Sequence, residues 1–314
     1  GLRALLSVCG LEGEVEAGQV GYTLAPRLNA VGRLGDAGDA LELLLTDDPD
    51  RARTLAREAD RLNVLRQDED RRTLAEALAQ LEGAFDPDVD FGVVLAGEGW
   101  HPGVIGIVAS RVVERIHRPT VLVALSPEGG RGSGRSIPGF HLHRALTRCA
   151  PLLRRYGGHA QAAGLDLDPA ALPAFRDAFN QAAREALASA PDLLQPRIRV
   201  DLEVDPGDLT LELAERTRFL GPHGVGNPRP VLLARGLRLA RAPRVVGNGH
   251  LKVDLTGPGG GRPVPAIGFR LAERFPPAAL GDAPLDAVFQ LTLNEYRGHR
   301  TPQMRLLDLR RVEG

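Results

Sequence analysis

Lysine is nearly missing from this sequence: Lys252 stands alone, and arginine carries the rest of the basic charge. A GC-rich coding sequence accounts for that without invoking function. Aromatic residues make up only 4% of the chain, so aliphatic residues and alanine must build its cores. The two cysteines, Cys9 and Cys149, exclude a disulfide framework and a cysteine-rich metal site, and the chain reads as a reduced cytoplasmic protein. No run of about 18 apolar residues is present, which excludes an ordinary transmembrane helix, and no secretory signal is visible. The one methionine is Met304, and Gly1 leads straight into apolar sequence, so the chain reads as a piece of a longer polypeptide.

What is present is an ordinary globular composition, 43% hydrophobic and 25% charged, long enough at 314 residues for two or three domains. A net charge of −1 hides an uneven division. Residues 197–314 hold 18 basic and 13 acidic groups, a net +5, whereas residues 1–196 carry −6. A positive C-terminal third points modestly toward a nucleic-acid surface.

The pattern changes along the chain. Residues 1–46 are compact and glycine-punctuated, and Pro26 to Gly35 read as a loop whose Arg27, Asn29 and Arg33 could face one cleft. Asp47-Asp48-Pro49 is a helix start, and helical spacing continues to about Glu82. Leu55, Ala59 and Leu62 form one apolar stripe, and Leu74, Leu78 and Leu81 another. The polar run Arg66 to Arg72 between them predicts a helix bridging two domains through solvent.

Residues 83–195 read as α/β. Phe91–Ala96 and Pro119–Ala124 are short apolar strands around a helix at 104–115, entered by a Gly-Trp-His-Pro-Gly turn that contains His101. A turn at the end of a strand suits a ligand; a packed turn cap is the competing reading for Trp100 and His101. Alanine-rich residues 169–190 follow, capped by Asp168. Residues 196–314 instead show short alternating segments between Gly- and Pro-rich turns, the pattern of a small antiparallel barrel. Such barrels bind single strands with a basic groove and stacking aromatics. Phe269, Phe289 and Tyr296 are the candidates, with core packing favoured for Phe289.

Two glycine-rich motifs stand out. Between Arg131 and Arg155 there are six arginines and no acid. In Arg131-Gly132-Ser133-Gly134-Arg135-Ser136, alternating glycines would free the backbone, and hydroxyls and guanidinium groups would form an anion nest. Tyr156-Gly157-Gly158-His159-Ala160-Gln161-Ala162-Ala163-Gly164 predicts a tight turn entering a helix, with His159 at the positive end of the dipole. A plain Gly-Gly turn with a hydrogen-bonded histidine is the alternative. A helix at 141–154 would bring the two motifs into one phosphate pocket.

These motifs resemble the DHHA1 domain of the DHH phosphoesterase superfamily, and the wider sequence is similar to the RecJ family of single-strand-specific exonucleases. The resemblance implies a fold of an α/β DHHA1-type domain (83–195), joined by a long bridging helix (47–82) to the tail of a catalytic domain (1–46). An all-β OB-fold barrel (196–314) follows. It implies that Ser133 and Arg135 hold a 5′-phosphate, and that Gly157, Gly158 and His159 hold the adjacent phosphate, His159 supporting catalysis. His101, Arg27, Asn29 and Arg33 would complete the substrate side, with Tyr296, Arg297 and Phe269 for single-stranded DNA on the barrel. The family's Mn2+ or Mg2+ is held by an Asp-His-His cluster that this sequence does not contain, so no metal ligand is assigned and the chain alone is expected to be inactive. The implied activity is 5′-to-3′ degradation of single-stranded DNA in repair and recombination, by a monomer, with single-strand-binding protein and a helicase as partners. A phosphodiesterase for nanoRNA or cyclic dinucleotides, and a non-catalytic single-strand-binding module, are the other readings.

Overall fold

The computed structural model describes residues 1–296 and 298–312. The chain divides between Pro196 and Arg197 into two compact units. The first opens with helices α1 (Leu2–Val8), α2 (Ala17–Gln19), α3 (Ala25–Leu34), α4 (Ala37–Leu45) and α5 (Pro49–Leu81), a π-helical turn at Val20–Leu24 leading into α3. Leu5, Leu24, Val31, Leu43, Leu55 and Leu62 form their shared core. Residues 26–34 are therefore helix, not loop: Ala30 and Val31 bury one face against α5, and tertiary packing outweighs the glycines of the segment.

α5 begins as its sequence requires, with Asp48 accepting hydrogen bonds from the backbone N–H groups of Asp50 and Arg51. Its polar middle does not run through solvent. Asn63, Asp70 and Thr73 are buried there, because α6 (Ile105–Ile116) packs alongside and brings Arg111 to Asp70.

The five-stranded sheet of this unit has the order β1-β2-β3-β5-β4. β1 (Val93–Glu98) and β2 (Thr120–Ser126) run parallel around α6. β3 (Gly129–Arg135), β4 (Arg155–Gly158) and β5 (Ala162–Leu167) are antiparallel additions. Alternation along each strand sends Leu95 and Leu122 toward α6, and Val94, Val121 and Leu165 toward α8 (Leu172–Ala188) with its Phe175 and Phe179. α7 (Leu142–Arg148) is shorter than its sequence suggests.

Both glycine motifs correct the sequence reading. RGSGRS is a central strand up to Arg135, and its alternating glycines serve packing rather than backbone freedom. A Cβ on Gly132 would lie 2.6 Å from Leu165, and one on Gly134 3.0 Å from Leu142. YGGHAQAAG is a β-hairpin, not a helix entry: His159 sits between β4 and β5, and its N–H donates to the Ala162 carbonyl at 2.8 Å. Ladder pairing of Ala162 to Leu167 with β3 overrides the helix propensity of the alanines. His159 therefore does not stand at the start of a helix formed by its own segment.

Cys149 is buried in the α7–α8 core, and burial pushes its thiol up to about 11. An unfolded thiol ionises near 9 while the folded one keeps its proton, so stability should fall as pH rises between 9 and about 11. Alkylation with iodoacetamide at pH 8.5 should spare Cys149 until denaturant is added. Rapid native labelling, located by peptide mass, would contradict this placement.

The second unit contains β6 (Leu202–Glu203), α9 (Leu211–Arg218), β7 (Leu232–Leu239), β8 (Arg244–Val246), β9 (His250–Gly257), β10 (Gly260–Gly268), α10 (Pro277–Leu280), β11 (Leu285–Tyr296) and β12 (His299–Arg311). The sheet order is β6-β7-β11-β12-β10-β9-β8, and a further pairing of β7 with β9 curls it back on itself. Inward residues such as Leu251, Val253, Phe289, Leu291 and Met304 fill the centre, so Phe289 is core.

Candidate nucleic-acid interface

β3 alternates. With Gly130, Gly132 and Gly134 turned to the α7–α8 core, Arg131, Ser133 and Arg135 occupy the opposite face. That face meets the first turn of α6 at Gly106, where an added Cβ would lie 2.8 Å from both Ser133 Oγ and Arg135 Nη2. Only glycine lets the serine and the arginine come this close to the amino end of the helix, where N–H groups lack intrahelical acceptors.

Arg135 donates from Nη1 to Ser133 Oγ at 3.1 Å and to the Gly134 carbonyl at 2.8 Å. It has no carboxylate partner among the described residues. Burial lowers its guanidinium below the ordinary value, and the positive charge of Arg33 adds to this. Arginine does not give up its proton under these conditions, so the site holds a partly desolvated cation that an anion would stabilise.

Arg33 reaches the same region from α3, its Nη1 donating to the Gly103 carbonyl at 2.8 Å. His101 shapes that loop, since its Nδ1 accepts the Gly103 N–H at 3.0 Å. His101 therefore acts on Arg33 through Gly103. Trp100 is a packed anchor, buried and donating to Glu76 at 2.6 Å. Behind Arg33 lies Arg66 of α5. Burial pulls its guanidinium down, Asp70 opposes this, and Arg111 and Arg33 reinforce it. Asp70 is the carboxylate of this group, 3.1 Å from Arg111 Nη2 and 3.7 Å from Arg66 Nη1.

The hairpin adds a bare strip. Ser133 is paired with Gly164, and Gly164 with Gly157, so the three form one row across β3, β5 and β4. A Cβ on Gly157 would touch nothing, and one on Gly164 only the Gly132 carbonyl at 3.8 Å. Unlike the packing glycines of β3, these two leave backbone open beside Ser133. Gly158 is constrained instead: its φ is +139° and a Cβ would meet the Ala162 carbonyl at 2.5 Å. His159 is exposed at the tip of the hairpin.

The other sequence candidates are dispersed. Arg27 is paired with Asp60 at 2.8 Å and donates to the Thr23 carbonyl, so its charge is already compensated. Asn29 is exposed on α3. Sequence reasoning passed over Gly106, Arg66, Arg111 and Asp70. The uninterrupted helical spacing of 49–81 and 105–116 was the available signal for the last three, since it places them on two long helices that can pack together. On the barrel, Phe269 and Tyr296 are exposed, and Arg297 lies outside the described residues. Among the described residues no group of three or more His, Cys, Asp or Glu could hold a metal ion. Those residues therefore offer no donor set that fits the Mn2+ or Mg2+ implied by the resemblance. Among the described residues no helix is long and apolar enough to cross a membrane.

A half-buried arginine bonded to a serine thus lies on the α/β sheet of a chain that continues into a barrel of net positive charge. Residues 89–185 match the DHHA1 domain family, and residues 200–308 match the RecJ OB domain family. The chain thus carries a DHHA1 domain followed by a RecJ OB domain. It is 37% identical to the single-stranded-DNA-specific exonuclease RecJ of Escherichia coli over 97% of its own length and 53% of that protein's. It is 38% identical to the RecJ of Thermus thermophilus over all of its length and 43% of that protein's. The crystal structure of the Thermus thermophilus protein with Mn2+ superposes with a TM-score of 0.80 at 35% identity, over 100% of this chain and 44% of that one. The chain thus spans about half the length of the curated relatives it matches.

Proposed function

We propose that this chain supplies the substrate-holding half of a RecJ-type 5′-to-3′ exonuclease. Ser133, Arg135 and Arg33 would take the terminal 5′-phosphate, the open backbone at Gly157 and Gly164 would pass the next nucleotide, and the barrel would hold the single strand beyond. The observation that carries this is Arg135: a partly desolvated guanidinium with no carboxylate partner among the described residues, bonded to a hydroxyl and acted on by the charge of Arg33. Phosphate matches a guanidinium fork bidentately, and a terminal phosphate offers more charge than an internal one. For the chain by itself, the same features amount to a single-strand-binding module. The barrel unit, with its net positive charge, favours a polynucleotide over a nanoRNA or a cyclic dinucleotide.

The test is fluorescence-anisotropy titration of the 314-residue chain with single-stranded DNA bearing a 5′-phosphate or a 5′-hydroxyl, and with duplex, at two salt concentrations. The phosphorylated single strand should bind tightest, with log K falling linearly against log salt. Equal affinity for duplex, or binding indifferent to salt, would overturn the reading.

A further inference from the structure

We infer that the outer face of β9, β10 and β12 carries a nucleobase-stacking platform centred on Phe269, with a row of cations beside it for the backbone phosphates. The inference rests on the single-strand reading above and names residues on the barrel that take the strand.

Phe269 is 50% exposed, whereas Phe175, Phe179 and Phe289 are fully buried. The backbone puts it outside. β10 ends at Gly268, where a Cβ would lie 2.6 Å from Leu271, and Arg270 then adopts a φ of +57°. A left-handed non-glycine residue is held only where its surroundings over-determine it. Here the Arg270 N–H donates to Nδ1 of His250 at 3.2 Å. That bond makes Nδ1 the acceptor and orients the imidazole, which meets the Phe269 ring at 5.1 Å and 66°. Arg305 of β12 places its guanidinium carbon 5.4 Å from the ring centroid. The aromatic ring is thus steadied by a histidine edge and a cation, and half of it remains open.

The next row of the same face is cationic. Strand register aligns Arg244, Lys252, Ile267, Arg305 and Gln290 across β8, β9, β10, β12 and β11. The row holds three cations, including the chain's one lysine, and no acid. Asp254, two residues along β9 from Lys252, is drawn toward Arg241 at 3.9 Å. Neighbouring strands are about 4.8 Å apart, so the cations span roughly 14 Å beside the ring. An open π-face next to a line of cations fits a single strand, whose bases are free to stack while its phosphates meet the arginines. A duplex keeps its bases inside its own stack. Tyr296 lies six residues beyond Gln290 on β11, roughly 20 Å along the strand, and is separate from this platform.

The experiment uses the full chain and a 5′-phosphorylated single-stranded oligonucleotide carrying 2-aminopurine, whose fluorescence reports stacking. Phe269→Ala and Phe269→Leu should each weaken binding roughly fivefold to a hundredfold and shift the aminopurine signal. Phe269→Trp should keep both. The leucine variant preserves apolar bulk, so its loss would be a loss of stacking rather than of packing. Arg305→Ala and Lys252→Ala should each lower the slope of log K against log salt by about one. The 5′-phosphate preference should stay as in wild type in every variant. Wild-type affinity in Phe269→Leu, with the wild-type chain binding the oligonucleotide, overturns the platform and leaves the single-strand reading standing. No binding by the wild-type chain overturns the single-strand reading itself.

Discussion

Asp70→Ala is expected to cost about 3–5 kcal/mol of stability in the unit that contains it, one of the largest single losses in the chain. Asp70 has a side chain only 2% exposed, and it bridges α5 to α6 through Arg66 and Arg111. Removing it strands two guanidinium groups near Arg33, with Arg66 only 13% exposed. The lower end of the range is the better figure, because Arg111 keeps 32% exposure and part of its solvation. Deleting the acid with its more buried partner should hurt less than deleting the acid alone: Asp70→Leu with Arg66→Met leaves only the more exposed Arg111 without its carboxylate. Urea titration followed by helix signal would measure both, through a shift in midpoint at unchanged slope. A single-variant loss below 1 kcal/mol would mean that Asp70 is better hydrated than its burial indicates.

Arg135→Ala is expected to weaken binding of a 5′-phosphorylated strand by tenfold to a hundredfold. One charge-assisted hydrogen bond contributes roughly 1.5–3 kcal/mol, which corresponds to that range. Arg135→Lys should recover only part of that, because lysine restores the charge without the planar pair of donors. The fold should tolerate the change, since among the described residues Arg135 bonds to Ser133 and a backbone carbonyl and to no carboxylate, and its charge is partly desolvated. A surface arginine in its place would lower phosphorylated and unphosphorylated affinities slightly and equally.

Much of the architecture was legible from residue pattern. The apolar runs at 91–96 and 119–124 follow from burial of both sheet faces, the Asp48-Pro49 helix start from capping, and the alternating segments after residue 230 from burial of one face. The glycine strand was not legible, because hydrophobic periodicity is blind to a face made of glycine. At Gly132 and Gly134 the volume belongs to Leu165 and Leu142, residues remote in sequence. Ala160 to Ala163 misled for a related reason: alanine favours helix locally, and only the neighbouring β3 draws the segment into a sheet. Asp70 sat unnoticed in a polar run because its partner Arg111 comes from another helix. Ser133 and Arg135 were visible as a chemical type; Gly106, which admits them to the start of α6, needed the fold.

In the proposed reading Arg135, with Ser133 and Arg33, recognises a terminal phosphate. Its most direct test is a four-way affinity comparison on the full chain: wild type and Arg135→Ala, each with 5′-phosphorylated and 5′-hydroxyl single strands of one sequence. Wild type should prefer the phosphorylated strand, and Arg135→Ala should lose most of that preference, the 5′-hydroxyl strand being held almost as before. A preference of equal size in both proteins would contradict it and place the terminal phosphate away from Arg135.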